Sequence, residues 1–313
     1  VALLFNYSLN NLTATGQLPG GFAGIQGSPT FGSADGPQGI NTIHCDGHTA
    51  FAYVPNVAIP INSQGLVAGA GFTVSSISGQ PPGLFVIGGT GVDSLNVQLG
   101  ADGSLQLSYY GTTIYSSASG VFTFGARHEV EVKVSSFASS GTVTVYLDGP
   151  PVTGLTAIAI PQLATLADGG TIHTVGVGGT LSGFAGPAVI VVDSVYAMDT
   201  TGSFCNAPVG PAISVPMVPN GVGEESAWTP NGAALGWECI DQIPPDGDTT
   251  YISSDTPTQE EACTLSPPAS ITAVYGLTVF SDQRQDTAGG GRTIELGVGN
   301  GSARSYGSAF GLG

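Results

Sequence analysis

Residues 94–109 are written in a strict two-residue period, and that pattern limits the chain to antiparallel sheet over this stretch. Leu95, Val97 and Leu99 alternate with Asn96 and Gln98, Asp102-Gly103 supplies a turn, and Leu105, Leu107 and Tyr109 resume the apolar face. An Asp-Gly pair tolerates the positive φ angles that tight hairpins need, so both residues are expected there. The code recurs at once. Val130, Val132 and Val134 alternate with Glu129, Glu131 and Lys133, and Val143, Val145 and Leu147 alternate with Thr142, Thr144 and Tyr146 before Asp148-Gly149. Such strands bury one face and expose the other, so the polar partners, Glu129 and Glu131 included, are expected toward solvent. No segment shows helical periodicity, apart from a short stretch at 160–167 that predicts at most one turn.

At 313 residues the chain has room for two cores. Charged residues are 9% of the total, against roughly 25% in ordinary domains. The surface is therefore Ser, Thr, Asn, Gln and Gly. Lys133 is the single lysine and Arg127, Arg284, Arg292 and Arg304 are the arginines, which leaves a net charge of -17. That balance repels phosphate backbones and anionic lipid, so neither nucleic acid nor membrane is an expected partner. No apolar run reaches the ~18 residues of a spanning helix. No basic n-region is present at the N-terminus, so no signal peptide is read there.

Three regions are expected. Residues 1–200 form a β domain with a loop-rich N-terminal arm, ending in the β-branched strand 188–196, which suits a position buried on both faces. Residues 201–223 carry Pro208, Pro211, Pro216 and Pro219 and read as an extended linker. Residues 224–313 form a smaller β domain with strands at 271–280, 292–298 and 303–308. Three strands after a long irregular lead-in are thin for a free-standing domain, so it is expected to be incomplete or completed by a neighbouring subunit. The fold class is all-β: an antiparallel jelly-roll sandwich, a Pro/Gly-rich linker and a second β domain.

The hairpin HEVEVKV…GTVTVYLDGPPV (128–152) and the strand AVIVVDSVYAMD (188–199) resemble the concanavalin A-like, laminin-G-type jelly roll. A narrower resemblance spans both domains. VVDSVYAMDTTGS (191–203), a Pro/Gly linker, a Trp and DQIPPDGDTTYISS (241–254) are similar to a family of tailed-bacteriophage virion proteins, in which a second β domain follows a lectin-like jelly roll. This chain departs from that family at Phe204-Cys205-Asn206, where an Asn-Asn-Asp-rich stretch is usual. The resemblance implies a virion-surface structural role, without catalysis, as a homo-oligomer in contact with other virion proteins and with host-surface carbohydrate. The alternative is a lectin-like carbohydrate-binding module, for which Tyr110, Trp228 and Trp237 are the candidate stacking residues.

Chemistry-bearing constellations are sparse. His44-Cys45-Asp46-Gly47-His48 has zinc-ligand types, but a five-residue loop rarely wraps three ligands around one ion, and Asp46-Gly47 equally makes a turn. No metal site is assigned; a structural calcium in the jelly-roll loops is left open. Glu129 and Glu131 share a strand face and could lie about 7 Å apart, yet the Glu-x-Asp-x-x-Glu pattern of jelly-roll glucanases is absent, so a glycoside hydrolase is disfavoured. Four cysteines, Cys45, Cys205, Cys239 and Cys263, permit three pairings, and spacing does not choose. A Cys239–Cys263 bridge within the second domain is the first to test.

Overall fold

A computed structural model of the chain describes residues 3–7, 24–26, 30–32, 42–45, 51–60, 65–77, 81–88, 94–166, 171–179, 188–200, 206–242, 246, 248–267, 270–277, 279, 281, 283, 292–300, 303–307 and 309–311. The chain divides into two units, Val1–Pro216 and Met217–Gly313. Among the described residues no helix is long and apolar enough to cross a membrane.

The first unit is an antiparallel sandwich. Its strands are β1 (Leu3–Tyr7), β2 (Gly24–Gln26), β3 (Thr30–Gly32), β4 (Thr42–Cys45), β5 (Phe51–Pro60), β6 (Leu66–Ile77) and β7 (Gly83–Gly88). They continue with β8 (Ser94–Leu99), β9 (Leu105–Tyr109), β10 (Thr112–Ser116), β11 (Arg127–Val134), β12 (Thr142–Leu147), β13 (Ile158–Ala159), β14 (Thr171–Val177) and β15 (Ala188–Asp199). One sheet runs β13-β12-β11-β6-β15-β4-β3, with β1 also on β15; the other runs β10-β9-β8-β7-β14-β5-β2. Strand β15 lies between β6 and the edge shared by β4 and β1, buried on both faces from Val192 to Asp199. A single 3-10 turn, Pro161–Thr165, lies where the short helical stretch is predicted.

The alternation places the core. Val130, Val132 and Val134 of β11, Val143 and Val145 of β12, and Leu95, Val97 and Leu99 of β8 are fully buried between the sheets. Phe72 of β6 meets Phe85 of β7 edge-on across the sandwich, ring centroids 5.2 Å apart. Burying such a ring stabilises the fold by about 1.5–3 kcal/mol.

The β8–β9 turn departs from expectation. Gly103 alone of the pair takes positive φ (75°), because the loop has five residues, 100–104, rather than two. The Gly103 N–H donates to the Gly100 carbonyl (2.9 Å), and the Asp102 carboxylate accepts the Ser104 N–H (3.0 Å). At Asp148-Gly149 both residues do take positive φ, 52° and 105°.

The second unit has no stacked sheets among its described residues. Its strands are β16 (Pro219–Ser226), β17 (Thr229–Asn231), β18 (Tyr251–Ser253), β19 (Glu261–Leu265), β20 (Thr293–Ile294), β21 (Gly297–Asn300), β22 (Ala303–Tyr306) and β23 (Phe310–Gly311). They pair as four two-stranded ribbons: β16-β19, β17-β18, β20-β23 and β21-β22. The strand predicted at 271–280 forms no ladder among the described residues. Ile271, Val274, Tyr275, Leu277 and Val279 stay exposed, because none of the ribbons takes the segment up.

Candidate functional site

The outer face of the β11-β6-β15 sheet holds a group of buried ionisable side chains. Strand β6 makes room for it. Gly69 and Gly71 alternate with the core residues Ala68, Ala70 and Phe72, so this face of the strand carries no side chain at two successive outward positions. In register, Gly71 lies between Glu129 and Asp193, and Gly69 lies between Glu131 and Tyr196. A Cβ on Gly69 would collide with the Tyr196 ring, and one on Gly71 with the Arg127 guanidinium and the Asp193 carboxylate. The two glycines form the floor of a trough in which side chains from both neighbouring strands meet.

A bulge in β15 supplies the second wall. The register against β6 shifts between Asp193 and Tyr196, and Ser194 takes φ 51°, a conformation L-residues seldom adopt. With the bulge, Asp193, Ser194 and Tyr196 all reach the outer side, while Val192 and Val195 keep their core positions.

Arg127 anchors the trough. Its guanidinium donates to both oxygens of Asp193 (2.7 and 3.0 Å) and to Glu129 Oε2 (3.0 Å). Burial works against its charge, but the bonds and charge of Asp193 and Glu129 outweigh that and raise its pKa. Glu129 and Glu131 were expected toward solvent; instead they are 1% and 0% exposed. They are covered by the chain's own residues 206–216, part of the predicted linker, which lie across this face as a strap. Glu131 accepts the Val209 N–H (2.6 Å) and the Gly210 N–H (3.0 Å), and also the Tyr196 hydroxyl. The Ser214 N–H donates to Ser194 Oγ (3.1 Å), and Arg127 reaches the Ala212 carbonyl (3.4 Å). Val209 packs on a small apolar cluster of Val67, Tyr196 and Met198.

Glu129 is the strained member. Its Oε1 is buried with no hydrogen-bond partner. Arg127 is already matched by two bonds to Asp193, so Glu129 shares only what remains. Burial pushes the Glu129 carboxyl up to about 9; Arg127 opposes the shift, and Asp193 and Glu131 reinforce it. Burial likewise raises the Tyr196 hydroxyl, with Glu131 adding to it.

The outer face of the other sheet carries a second polar group. Asn96 and Ser108 are in register on β8 and β9, both buried, and both have an unpartnered atom, Oδ1 and Oγ respectively. The Asn96 amide donates to Ser94 Oγ (3.1 Å), and Val86 of β7 lies opposite Asn96 on its other side. No charged side chain stands in this row.

The aromatic candidates are not assembled into one surface. Tyr110 is 57% exposed at positive φ (52°) in the β9–β10 turn. Trp228 and Trp237 belong to the second unit. The Trp228 indole N–H donates to the Gln259 carbonyl (3.1 Å), and Trp237 sits half-buried in the 3-10 turn Gly236–Cys239.

The proposed Cys239–Cys263 bridge is not formed: both are free thiols. Cys239 ends the 3-10 turn with its Sγ directed to the Asn231 carbonyl (3.4 Å), whereas Cys263 is on β19 opposite Val222. Cys45 joins the sandwich core, whereas His44, next along the same strand, bonds Thr42 Oγ1 (3.0 Å) outside that core; Asp46, Gly47 and His48 lie outside the described residues. Successive strand residues point to opposite faces, so His44 and Cys45 do not converge on one ion. No cluster of three metal-ligating side chains occurs among the described residues. Asp246, from the Asp-Gly-Asp turn, accepts the Thr250 N–H and hydroxyl.

Two further sequence signals mark the trough. One is the Gly-x-Gly on β6. The other is the break in alternation at Asp193-Ser194, where two polar residues in succession mark a bulge.

No protein-family model and no curated protein matches the chain. Among solved structures it is similar to a Trypanosoma rangeli sialidase, at 18% identity over 54% of this chain and 27% of that one, TM-score 0.40. It is similar to domain 4 of an extracellular arabinanase from Geobacillus stearothermophilus, at 16% identity over 63% and 92%, TM-score 0.42. Peanut lectin is a third, at 14% identity over 64% and 97%, TM-score 0.40. The chain thus spans about a quarter of the sialidase's length.

Proposed function

We propose that this chain is a non-catalytic structural component of a phage virion: a surface appendage, fibre or decoration subunit whose sandwich is displayed and whose second unit engages other virion proteins or sister copies. The observation that carries the reading is the uncovered strand-patterned segment 271–279. Five large apolar side chains exposed on one short segment are a surface for assembly, not for solvent. The sequence resemblance over 191–254 supplies the virion context. The trough supports the non-catalytic part of the reading. Glycosidic hydrolysis needs two carboxyls facing an open sugar cleft, and here Glu131 has both oxygens bonded to the strap while Glu129 lies beside it. The test is mass spectrometry of gradient-banded particles from the source culture. Peptides of this chain at stoichiometric level support the reading. Their absence from particles, with the protein in the unsedimented fraction, overturns it.

A glycan-binding role is the second reading, favoured by Tyr110, which is 57% exposed on the sandwich and free of ring contacts with the core, as stacking on a sugar requires. Electrophoresis through gels containing neutral polysaccharide tests it: retardation lost in Tyr110→Ala supports binding at that turn, and unaltered migration in every polysaccharide rejects it.

A further inference from the structure

The strap and the carboxyls beneath it form an arrangement whose charge depends on one proton. Three carboxyls, Glu129, Glu131 and Asp193, meet in the trough, and the guanidinium of Arg127 is bonded to two of them, Glu129 and Asp193. Asp193 has two bonds from Arg127, and Glu131 has two strap N–H groups and the Tyr196 hydroxyl. Glu129 has one bond from Arg127 and one bare, buried oxygen. We propose that this is a proton-dependent clasp: with Glu129 neutral the strap is held on the sheet, and ionisation of Glu129 adds an unmatched charge beside Asp193 and Glu131 that releases residues 209–214.

The groups facing Glu129 can be named element by element. Strand β11 contributes Arg127 and Glu131, and β15 contributes Asp193 and Tyr196. Strand β12 and its turn contribute Tyr146, opposite Glu131, and Asp148, whose carboxylate accepts the Glu129 N–H (2.9 Å). Strand β6 contributes only glycine there, and residues 206–216 contain no titratable side chain. On β11 Lys133 shares the outer face two positions beyond Glu131, opposite Val67, and His128 pairs with the Asp148 carboxylate (2.7 Å); the cation bonded to Glu129 itself is Arg127.

The sign follows from the geometry. In the open strap Glu129 meets water and titrates near its ordinary 4.5; in the closed trough burial holds it up to about 9. A group whose pKa is raised in the closed state favours closure fully below about 4.5, and that advantage is lost as pH rises toward about 9. The equilibrium between closed and open strap therefore shifts by up to about tenfold per pH unit within that window.

Hydrogen exchange at the amides of Val209, Gly210 and Ser214 tests the clasp, each rate divided by its intrinsic rate at the same pH. Protection in the native chain should fall progressively between about pH 6 and 9, while Glu129→Gln should keep protection constant across that range. Flat protection in the native chain overturns the proposal, as does an equal fall in Glu129→Gln. A carboxyl NMR titration of Glu129 in the unmutated protein decides independently of how the variant folds. A midpoint above pH 7 that tracks the loss of protection supports the clasp, and a midpoint below pH 6 overturns it.

Discussion

Val130, Val132 and Val134 on β11 are fully buried, whereas Val274, Leu277 and Val279, on a segment of equally strand-like composition, remain exposed. The two regions differ in what surrounds the strand. In the first unit β11 has neighbours on both edges and a second sheet against its apolar face. Among the described residues of the second unit, four two-stranded ribbons form no second layer, and a lone ribbon is marginal in water. Strand-forming sequence is therefore necessary but not sufficient: a core needs sheets stacked face to face about 10 Å apart.

The largest effect expected from this contrast is on a core ring. Phe72→Ala should destabilise the first unit by about 3–5 kcal/mol, because it removes both the buried surface and the contact with Phe85. Val274→Ser should alter stability by less than about 0.5 kcal/mol, the usual range for an exposed position. Denaturant unfolding of the isolated chain measures both. A loss of about 2 kcal/mol or more in Val274→Ser would break the comparison, since it would mean that the segment is covered in solution.

The trough sharpens the comparison within the first unit, because its outer face is buried as thoroughly as its core, but by a strap rather than a sheet. Gly69→Ala should cost roughly 1–3 kcal/mol, since the Tyr196 ring is pinned by Glu131 and cannot give way. In a Tyr196→Ala background the same change should cost much less, and a double-mutant cycle reads the difference. Additive effects would mean that Gly69 and Tyr196 do not meet.

How much of this was legible in the sequence depends on whether a local or a long-range cause was at work. The alternation at 94–109 and 128–147 is local, and it placed the core valines and leucines on the correct face. The 3-10 turn near Ile160 and the double-sided burial of β15 were legible for the same reason. The burial of Glu129 and Glu131 was not, since alternation distinguishes two faces but not what lies on them. The cover comes from residues about 80 positions later, Val209 and Gly210, in a proline-bearing stretch that reads as an extended linker. The missing ladder at 271–280 failed in the opposite sense: the local pattern was read, but pairing depends on a partner edge that the pattern does not specify.

In the second unit a small electrostatic effect is expected. Arg304 of β22 bonds Glu224 of β16 and Glu260, with Glu225 at 3.6 Å, so one cation ties the β21-β22 ribbon to the β16-β19 ribbon. These carboxylates are half-exposed and screened. Arg304→Ala should lower the second unit's unfolding midpoint slightly at low salt. The difference from the native chain should vanish near 1 M salt, where the screening length is ~3 Å. A salt-independent difference would assign Arg304 a packing role instead.

The smallest expected effect is a null response to reductant. A bridge between Cys239 and Cys263 would close a loop of about 25 residues and add roughly 3 kcal/mol, enough to give the second unit the stability its ribbons lack. With both thiols free, reductant should leave its thermal midpoint unchanged, and alkylation in denaturant without reductant should label both cysteines. Native-state labelling should be slow at Cys263, where burial, with Glu261 adding to it, pushes the thiol up to about 11 and leaves little thiolate near neutral pH. If reductant instead lowers the midpoint, a covalent staple is present and the contrast between the units narrows. If it does not, the second unit depends on whatever covers residues 271–279, and the fate of those apolar side chains decides its stability.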